Sequence, residues 1–289
     1  MNTSADLTSA PAAAHADTTT TAGPPLPGAL RLGVARTGLE LKQFFRERSS
    51  VIFTFSFPLI MLFIFGSVFS KEIAPGVSFR QYFAAGMIAS GIIMSSFQSL
   101  AISIAIEREE GTLKRLNGTP MPPAAYFLGK IGLVLVTSLL QSAILLGVGA
   151  SLYHLHLPSS AELWLRFAWI FVLGTSAGTV LGISYSSLVH SAKSAGAVVS
   201  PVVVVLQFIS GVYFVYTDLP SWMKDVGSAF PLKWLAQGLR SVFLPSNFAE
   251  HEASHSWQLP QIALVLTAWT VVGLIACMRT FRWQRPGSR

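Results

Sequence analysis

Long apolar intervals dominate the pattern of this chain, and most charged residues lie in the shorter stretches between them. Six of these intervals exceed the roughly 20 residues that a helix needs to cross a bilayer. Apolar residues occupy every face of stretches such as PVVVVLQF, which favours helices over the alternating strands of a membrane barrel. The pattern predicts an all-α polytopic membrane protein with six transmembrane helices. The predicted spans cover residues 51–70, 82–106, 131–153, 166–188, 195–216 and 259–279.

Shorter helices are predicted outside the spans. A helix over residues 29–48 can gather its apolar side chains on one face, with most charged side chains opposite. This pattern is typical of an amphipathic helix in the membrane interface, where it serves as an anchor or as a surface that a soluble partner holds. The outer loop over 217–257 predicts two short interfacial helices, each starting near a proline. The apolar residues of the first helix are Leu30, Val34, Leu41, Phe44 and Phe45.

Small and polar residues inside the predicted spans indicate how the helices pack. Gly174, Gly178 and Gly182 recur every four residues, a spacing that lets helix backbones approach closely within one bundle or at a subunit interface. Three glutamines at depth favour hydrogen bonds between helices, and a substrate path is the alternative interpretation. These glutamines are Gln98, Gln141 and Gln207.

Composition supports a membrane protein over a soluble enzyme. The chain of 289 residues is 52% apolar and 11% charged, whereas a soluble domain carries about 25% charged residues. The mean hydropathy is +0.55. Cys277 is the only cysteine, which excludes an internal disulfide and a cysteine-based metal site.

The net charge of +7 is explained by the excess of basic residues in cytoplasmic loops, without a nucleic-acid partner. Of the 20 Lys and Arg residues, 14 lie on the side that carries both predicted termini, which places both termini in the cytoplasm. Residues 1–28 are rich in Thr, Ala and Pro and lack the features of a signal peptide, which predicts a disordered cytoplasmic tail. The transmembrane domain is predicted over 29–282, and a basic cytoplasmic tail over 283–289.

Residues 107–123, EREEGTLKRLNGTPMPP, concentrate charges and turn formers between the second and third predicted spans. Glu107 to Glu110 continue the second span, and Gly111 then loosens the helix. The next turn carries Leu113 and Leu116 on one edge, and an Asn-Gly pair and three prolines end it. This pattern predicts a short cytoplasmic helix, joined rigidly to a membrane helix and suited to move with a soluble partner. A solvated loop that only follows the charge bias is the alternative.

The sequence contains no P-loop. Its only Gly-Lys pair, Gly129-Lys130, is followed by Ile131 where a P-loop requires Ser or Thr. ATP-driven work would therefore need an ATPase in another subunit.

One stretch of the outer loop matches the zinc-protease pattern HExxH. His251 and His255 would share a helix face, and Glu252 would act on a zinc-bound water. No Asp, Glu or His follows His255 to supply a third ligand. An ordinary polar loop is the preferred interpretation, and a membrane zinc protease is the alternative.

The charged loop also carries a family resemblance. Residues 107–130, EREEGTLKRLNGTPMPPAAYFLGK, resemble the signature of ABC-2 type permeases, the membrane subunits of ATP-binding-cassette exporters. FPLKWLAQGLR, residues 230–240, is similar to a second recurrent segment of that family. FPLIMLFIFGSVF in the first span is similar to its drug- and antibiotic-export branch. The signature maps onto Glu107, Arg108, Glu109, Gly111, Thr112, Leu113, Leu116, Pro120, Gly129 and Lys130.

The resemblance, which covers about residues 30–282, implies a transport subunit without enzymatic activity of its own. Such a permease lies among the lipids of the plasma (inner) membrane and pairs with a second copy or a homologous permease. Separate ABC ATPase subunits bind ATP and Mg²⁺. The implied function is efflux of a hydrophobic or amphiphilic compound, as in multidrug export and antibiotic resistance. A permease for a lipid-linked or polysaccharide substrate and a membrane scaffold without transport are the alternatives.

The resemblance also implies two groups of site residues. One group couples the permease to its ATPase and comprises Glu107, Arg108, Glu109, Glu110, Gly111, Leu113 and Leu116. The other lines a substrate path between protomers, along the second and fifth spans, and comprises Phe97, Gln98, Gln207 and Phe208.

Overall fold

The computed structural model describes residues 28–69 and 71–281. Six of its helices are long and apolar enough to cross a membrane, which confirms the predicted all-α polytopic architecture. The two predicted tails lie outside the described residues, apart from Gly28. The spans are span 1 Arg48–Val68, span 2 Phe79–Glu109, span 3 Pro123–Tyr153, span 4 Ala161–Leu188, span 5 Ala192–Ile209 and span 6 Leu259–Thr280.

The described residues form eleven α-helices and one antiparallel pair of short strands. A π-helical segment, Met94–Ser99, joins two of the helices within span 2, and 3-10 turns lie at Ser186–Leu188, Tyr216–Asp218 and Ser246–His251. The elements are α1 Ala29–Arg46, α2 Arg48–Val68, β1 Glu72–Ala74, β2 Val77–Ser78, α3 Phe79–Ile93, α4 Leu100–Glu109, α5 Thr112–Asn117, α6 Pro123–Tyr153, α7 Ala161–Tyr185, α8 Ala192–Ile209, α9 Ser221–Ser228, α10 Pro231–Phe243 and α11 Leu259–Thr280.

Chain order defines the two ends of the bundle. The α5 end carries α1 and α5, which precede span 1 and follow span 2, and the α10 end carries β1, β2, α9 and α10. Span 2 is the central helix, because every residue of α3 except Arg80 is buried. Spans 1, 5 and 6 instead expose large apolar side chains, as expected of helices that contact lipid.

Two span boundaries differ from the prediction by more than five residues. Span 5 ends at Ile209 rather than at residue 216, because Gly211 adopts a φ of +70° that an α-helix does not continue through. Span 3 begins at Pro123 rather than at residue 131, with the proline in its first turn, where proline is tolerated. Lys130 lies inside this helix, so the interval without charges underestimated its length.

The helix predicted over residues 29–48 is α1, Ala29–Arg46, and its protein-facing side is small and polar. The helix packs along α6, where a Cβ on Gly129 would lie 2.3 Å from Arg36 Cγ and a Cβ on Gly132 would clash in the same way with α1. Glycine therefore permits this close contact. Leu30 and Val34 on the apolar face are 72% and 66% exposed, which leaves that face open to the membrane interface.

The glycine row of span 4 packs within the chain. A Cβ on Gly174 would meet α10, and one on Gly178 would lie 2.0 Å from the Ser96 hydroxyl. A Cβ on Gly182 would lie 2.8 Å from the carbonyl oxygens of Ser96 and Phe97. The prediction of close packing inside one bundle is confirmed, and the row brings span 4 against the π-helical segment of span 2.

The two helices predicted in the outer loop are α9 and α10, and α10 differs from its prediction. It does not lie on the bundle surface: every residue of α10 except Trp234 is buried, and the helix packs against α3, α7 and α11. Lys233 and Arg240 are buried with it. Aromatic rings and the carboxylate of Glu252 stabilise these two cations, as described below.

Candidate functional site

The charged loop at the α5 end has the predicted helix–turn–helix form. Span 2 remains helical to Glu109, and α5 begins at Thr112. Gly111 between them has a φ of +74°, in the left-handed region that glycine occupies without steric cost. The turn thus redirects the chain at one residue while both flanking segments stay helical.

The leucine edge of α5 faces the chain's own core rather than a partner. Leu113 is fully buried and packs in a cluster with Leu100 and Tyr126, from spans 2 and 3. Leu116 is partly buried against the same cluster. Apolar burial therefore holds α5 against spans 2 and 3.

Glu107 lies at the centre of a buried ionic network. Its carboxylate accepts a hydrogen bond of 2.9 Å from the Tyr126 hydroxyl and a second one from the Lys130 ammonium. The Lys130 ammonium also lies 2.9 Å from Glu40 Oε2, and Arg36 Nη2 lies 2.6 Å from Glu40 Oε1. Two cations and two anions thus compensate one another within the protein.

This network joins three elements at the α5 end. Arg36 and Glu40 belong to α1, Glu107 to span 2, and Tyr126 and Lys130 to span 3. Because these charges are buried, removal of one member would leave another charge uncompensated in a poorly solvated site, which would destabilise the folded protein. The network therefore resists separation of the interfacial helix from spans 2 and 3.

Arg108 and Glu109 reach two further spans. Arg108 donates hydrogen bonds to the carbonyl oxygen of Ser186, at 2.8 Å, and to its hydroxyl, at 3.0 Å. Ser186 lies at the end of span 4. The Glu109 carboxylate accepts a hydrogen bond from the Ala192 backbone N–H, in the first turn of span 5, where unpaired N–H groups and the helix dipole favour an anion.

The outward-facing charges of the segment are only in part those that the sequence indicated. Glu107, Arg108 and Glu109 all make contacts within the chain, and of the four predicted charges Glu109 and Glu110 are exposed. The exposed cations Lys114 and Arg115 of α5 lie beside Glu110 in the chain and were not among the predicted site residues.

The sequence analysis also missed the residues that join Glu107 in the network. Glu40 was treated as a residue of the polar face of α1, but it is 4% exposed. Tyr126 and Lys130 are four residues apart, and this spacing places them on one face of a helix. That spacing was the one feature of the sequence that could have indicated a site on span 3. Their partners lie too far away in the chain for such a pattern to identify.

The four residues predicted on a substrate path occupy different environments. Phe97 is 7% exposed, and its ring packs against that of Tyr185 in span 4. Gln207 is 2% exposed and donates a hydrogen bond of 2.7 Å to the Ser90 hydroxyl of span 2. Neither side chain faces an open path in this conformation. Phe208 is 42% exposed.

Gln98 is accessible and lies at a cavity. Its amide donates a hydrogen bond of 3.1 Å to the Ser200 hydroxyl of span 5, and Gln141 bonds Ser95 and span 1 in a similar way. The prediction of hydrogen bonds between helices is confirmed for Gln98, Gln141 and Gln207. The cavity measures about 440 Å³ and lies between the α1–α2 elbow, span 2 and α6.

At the α10 end, Glu252 of the HExxH match is a buried ion-pair partner. Its carboxylate accepts bonds from Arg240 Nε at 2.6 Å and Nη2 at 3.2 Å. The Arg240 guanidinium lies 4.8 Å from the centre of the Tyr82 ring. The bidentate pair thus fastens the segment that follows α10 back onto this helix, and the Tyr82 ring joins Arg240 to span 2.

This geometry contradicts the zinc-protease alternative. The 3-10 turn ends at His251, so His251 and His255 do not share a helix face, and Glu252 is occupied by Arg240. No group of three metal-ligating side chains occurs among the described residues. Arg240 forms an ion pair with Glu252, twelve positions later in the chain. The glutamate of the HExxH match therefore has a structural role as the partner of a buried cation.

Lys233 is the second buried cation of α10. Its ammonium lies 3.5 Å from the Trp234 ring centre and 5.4 Å from that of Tyr216. Burial, with a contribution from Arg240, lowers the pKa of Lys233 to about 8, although Glu252 acts in the opposite direction. Burial therefore favours the neutral form of this lysine more than in an ordinary, solvated lysine.

The fold and the site define a class: a six-span helical membrane protein whose charged loop after span 2 is tied to four other elements. Residues 35–244 match the family model of the ABC-2 type transporter. Because this match covers more than half of the chain, the chain belongs to the ABC-2 type transporter family.

Several curated relatives are similar over most of the chain. The probable multidrug ABC transporter permease YbhR of Escherichia coli K12 is 23% identical over 205 residues, 71% of this chain and 54% of the relative. The putative transport permease ycf38 of Porphyra purpurea is 26% identical over 228 residues, 75% of this chain and 77% of the relative. The inner membrane transport permease YadH of E. coli K12 is 22% identical over 186 residues, 64% of this chain and 71% of the relative. The chain thus spans about half the length of YbhR.

Proposed function

We propose that this chain is the transmembrane permease subunit of an ATP-driven ABC exporter. It moves a hydrophobic or amphiphilic, drug-like compound out across the plasma membrane, while separate ATPase subunits bind ATP and Mg²⁺ and hydrolyse the ATP. A second copy of the chain or a homologous permease completes the transport pathway. The name of YbhR, a probable multidrug ABC transporter permease, supports this substrate class.

The distribution of basic residues supports a cytoplasmic position for the α5 end. The topology predicted from the sequence assigns 14 of the 20 Lys and Arg residues to the side of the membrane on which α5 lies. Because basic residues are retained on the cytoplasmic side, α5 faces the compartment in which ATP is hydrolysed.

The observation that carries the proposal is the path of three consecutive charges. Glu107 is bonded to α1 and span 3 through Lys130, Arg108 to the end of span 4, and Glu109 to the start of span 5. A displacement of α5 is therefore transmitted through these three residues to α1 and to spans 2, 3, 4 and 5. Glu110, Lys114 and Arg115 supply the exposed charges that contact the ATPase.

ATP binding would draw the two ATPases together and displace α5. Through Glu109, that displacement acts directly on the first turn of span 5. We therefore assign Glu107 to hold α5 on the bundle and Glu109 to move span 5 against span 2, which switches the pathway from inward- to outward-facing.

The test is ATP-dependent export by the chain produced together with an ABC ATPase that copurifies with it. Glu109→Ala and Gly111→Pro are expected to abolish efflux of a fluorescent amphiphile, while both proteins still reach the membrane. Glu72→Ala, which changes an exposed acid at the α10 end, serves as the control and retains export. Normal efflux from both loop variants would refute the coupling role, and absence of ATP-dependent transport by the unaltered complex would refute the exporter.

A further inference from the structure

The 440 Å³ cavity beside Gln98 lies within one protomer. The substrate path that the family resemblance implies lies elsewhere, between two protomers. The cavity opens between the α1–α2 elbow, span 2 and α6. Gln207 and Phe208 are not among the residues around it. Its volume falls within the range of small-molecule sites, roughly 300–1,000 Å³.

The cavity combines apolar and polar walls, as expected of a site for an amphiphile. The rings of Phe44 and Phe53 and the side chain of Met94 supply apolar surface. Ser95 and Gln98 supply polar groups from the π-helical segment of span 2. π-Helical turns occur frequently at functional sites, where the wider turn redirects side chains.

The charges around the cavity favour a cation. Three carboxylates line it, from Glu40, Glu47 and Glu107, against one ammonium, from Lys130. The Lys130 ammonium is already bound by Glu40 and Glu107, and Arg36 compensates Glu40 from outside the cavity. The two cations Arg36 and Lys130 balance the two anions Glu40 and Glu107. The carboxylate of Glu47 is therefore the charge beside the cavity that this network does not neutralise.

Glu47 is positioned to receive a ligand. It lies at the elbow between α1 and α2, and its carboxylate has no hydrogen-bond or ion-pair partner among the described residues. Glu47 is exposed, and so are Arg46 and Arg48, which adjoin it in the chain. Water and salt screen all three charges in part, and of the three residues only Glu47 lines the cavity.

We propose that this cavity binds a lipophilic organic cation, with the positive charge near Glu47 and the apolar body between Phe53 and Met94. The aromatic rings add to the preference, because the face of an aromatic ring attracts a cation. The inference rests on the proposed function, since it names the substrate class of that exporter. An anion of equal size and hydrophobicity would meet the Glu47 carboxylate and bind weakly.

The test is equilibrium binding to the purified permease in nanodiscs of zwitterionic lipid, without ATP or ATPase. Tetraphenylphosphonium and tetraphenylborate are matched probes, similar in shape and opposite in charge. Saturable binding is expected for the cation and not for the anion. Glu47→Gln is expected to weaken cation binding roughly tenfold, as for the loss of one partly solvated charge contact.

Two further variants separate a binding site from a general effect on the fold. Glu47→Lys is expected to reverse the preference in favour of tetraphenylborate, which a misfolded protein would not do. Glu72→Gln alters an exposed acid at the α10 end and is expected to leave both affinities unchanged. Equal binding of the two probes, or unchanged cation affinity in Glu47→Gln, would overturn the proposal.

The experiment also distinguishes this inference from the exporter proposal. Gly111→Pro, expected to abolish export, should leave cation binding intact because Gly111 does not line the cavity. ATP-dependent export of other compounds without saturable cation binding would overturn only the cation site. Saturable, Glu47-dependent binding in a complex that never transports would uphold the site and refute the exporter.

Discussion

The ammonium of Lys130 in span 3 lies 2.9 Å from a carboxylate oxygen of Glu40 in α1, although 90 positions separate the two residues. Lys130 is 1% exposed and Glu40 is 4% exposed. Helix α1 is thus held to the bundle by a buried ion pair. This contact places α1 in the same mechanical unit as the charged loop after span 2.

Removal of Glu40 should destabilise the protein strongly. In Glu40→Ala, the buried charges of Lys130 and Arg36 lose a shared partner, which we expect to cost about 3 kcal/mol of unfolding free energy. Thermal unfolding in detergent measures the change. Glu162→Ala is the control, because Glu162 forms an exposed pair with Arg166 and should contribute less than about 1 kcal/mol. Equal effects of the two variants would contradict a buried network.

Gly111 should tolerate a side chain poorly because of its backbone conformation rather than for lack of space. Nothing lies within 4 Å of a Cβ built on Gly111, but its φ is +74°. Gly111→Ala is therefore expected to cost about 1–2 kcal/mol in thermal unfolding experiments, and Gly111→Asn less. Gly118→Ala is the control, since Gly118 has an ordinary φ of −83°. A neutral Gly111→Ala variant would show that the turn does not require the left-handed conformation.

Gly182→Ala should separate span 4 from the π-helical segment of span 2. The added Cβ would lie 2.8 Å from two backbone carbonyl oxygens, which cannot move aside as a flexible side chain can. We expect a loss of about 1–3 kcal/mol, measured as a lower unfolding temperature. Gly196→Ala in span 5 meets no atom within 4 Å and should be neutral or slightly stabilising. The reverse order of the two variants would contradict this packing.

Lys233 should make stability depend on pH. Its pKa is about 8 in the folded protein and 10.5 as an ordinary lysine. Between these values the unfolded chain holds a proton that the folded chain has released, so stability rises from about pH 8 to pH 10.5. Lys233→Met should remove this rise in unfolding temperature.

The neighbouring phenol limits that measurement at its upper end. Burial raises the pKa of Tyr216 from 10.0 to about 12 in the folded protein, with Arg240 opposing the shift. Above about pH 10 the unfolded chain therefore releases a proton that the folded chain retains, which lowers stability, so the rise due to Lys233 is measured between about pH 8 and pH 9.5. A rise of equal size in Lys233→Met and in the unaltered protein would refute the assignment to Lys233.

Glu252 should matter for folding, and the histidines beside it should not. Glu252→Ala leaves Arg240 buried without its carboxylate, at an expected cost of about 3 kcal/mol. His251→Ala should change stability little. The double variant Arg240→Met/Glu252→Leu should recover much of the loss, because apolar residues can replace a buried pair. Stoichiometric zinc in the purified protein, lost in His251→Ala, would instead support the metal site.

The number and type of the spans could be predicted from the sequence because both depend on local properties. A stretch long and apolar enough to cross the bilayer must satisfy its backbone hydrogen bonds internally, whatever surrounds it. The same holds for the turn at Gly111 and for the end of α5, which glycine and proline specify by their backbone preferences. Span 3 was predicted too short only because a charge was taken as the limit of the membrane segment.

The roles of individual charges were decided by the tertiary structure. The fold places Glu107 against Lys130, Glu109 against the first turn of span 5, and Glu252 against Arg240. The same residues in sequence order suggested a surface for a partner in one case and a zinc site in another. A buried charge requires a partner within a few ångströms, and folding alone determines which residue, from any part of the chain, occupies that position.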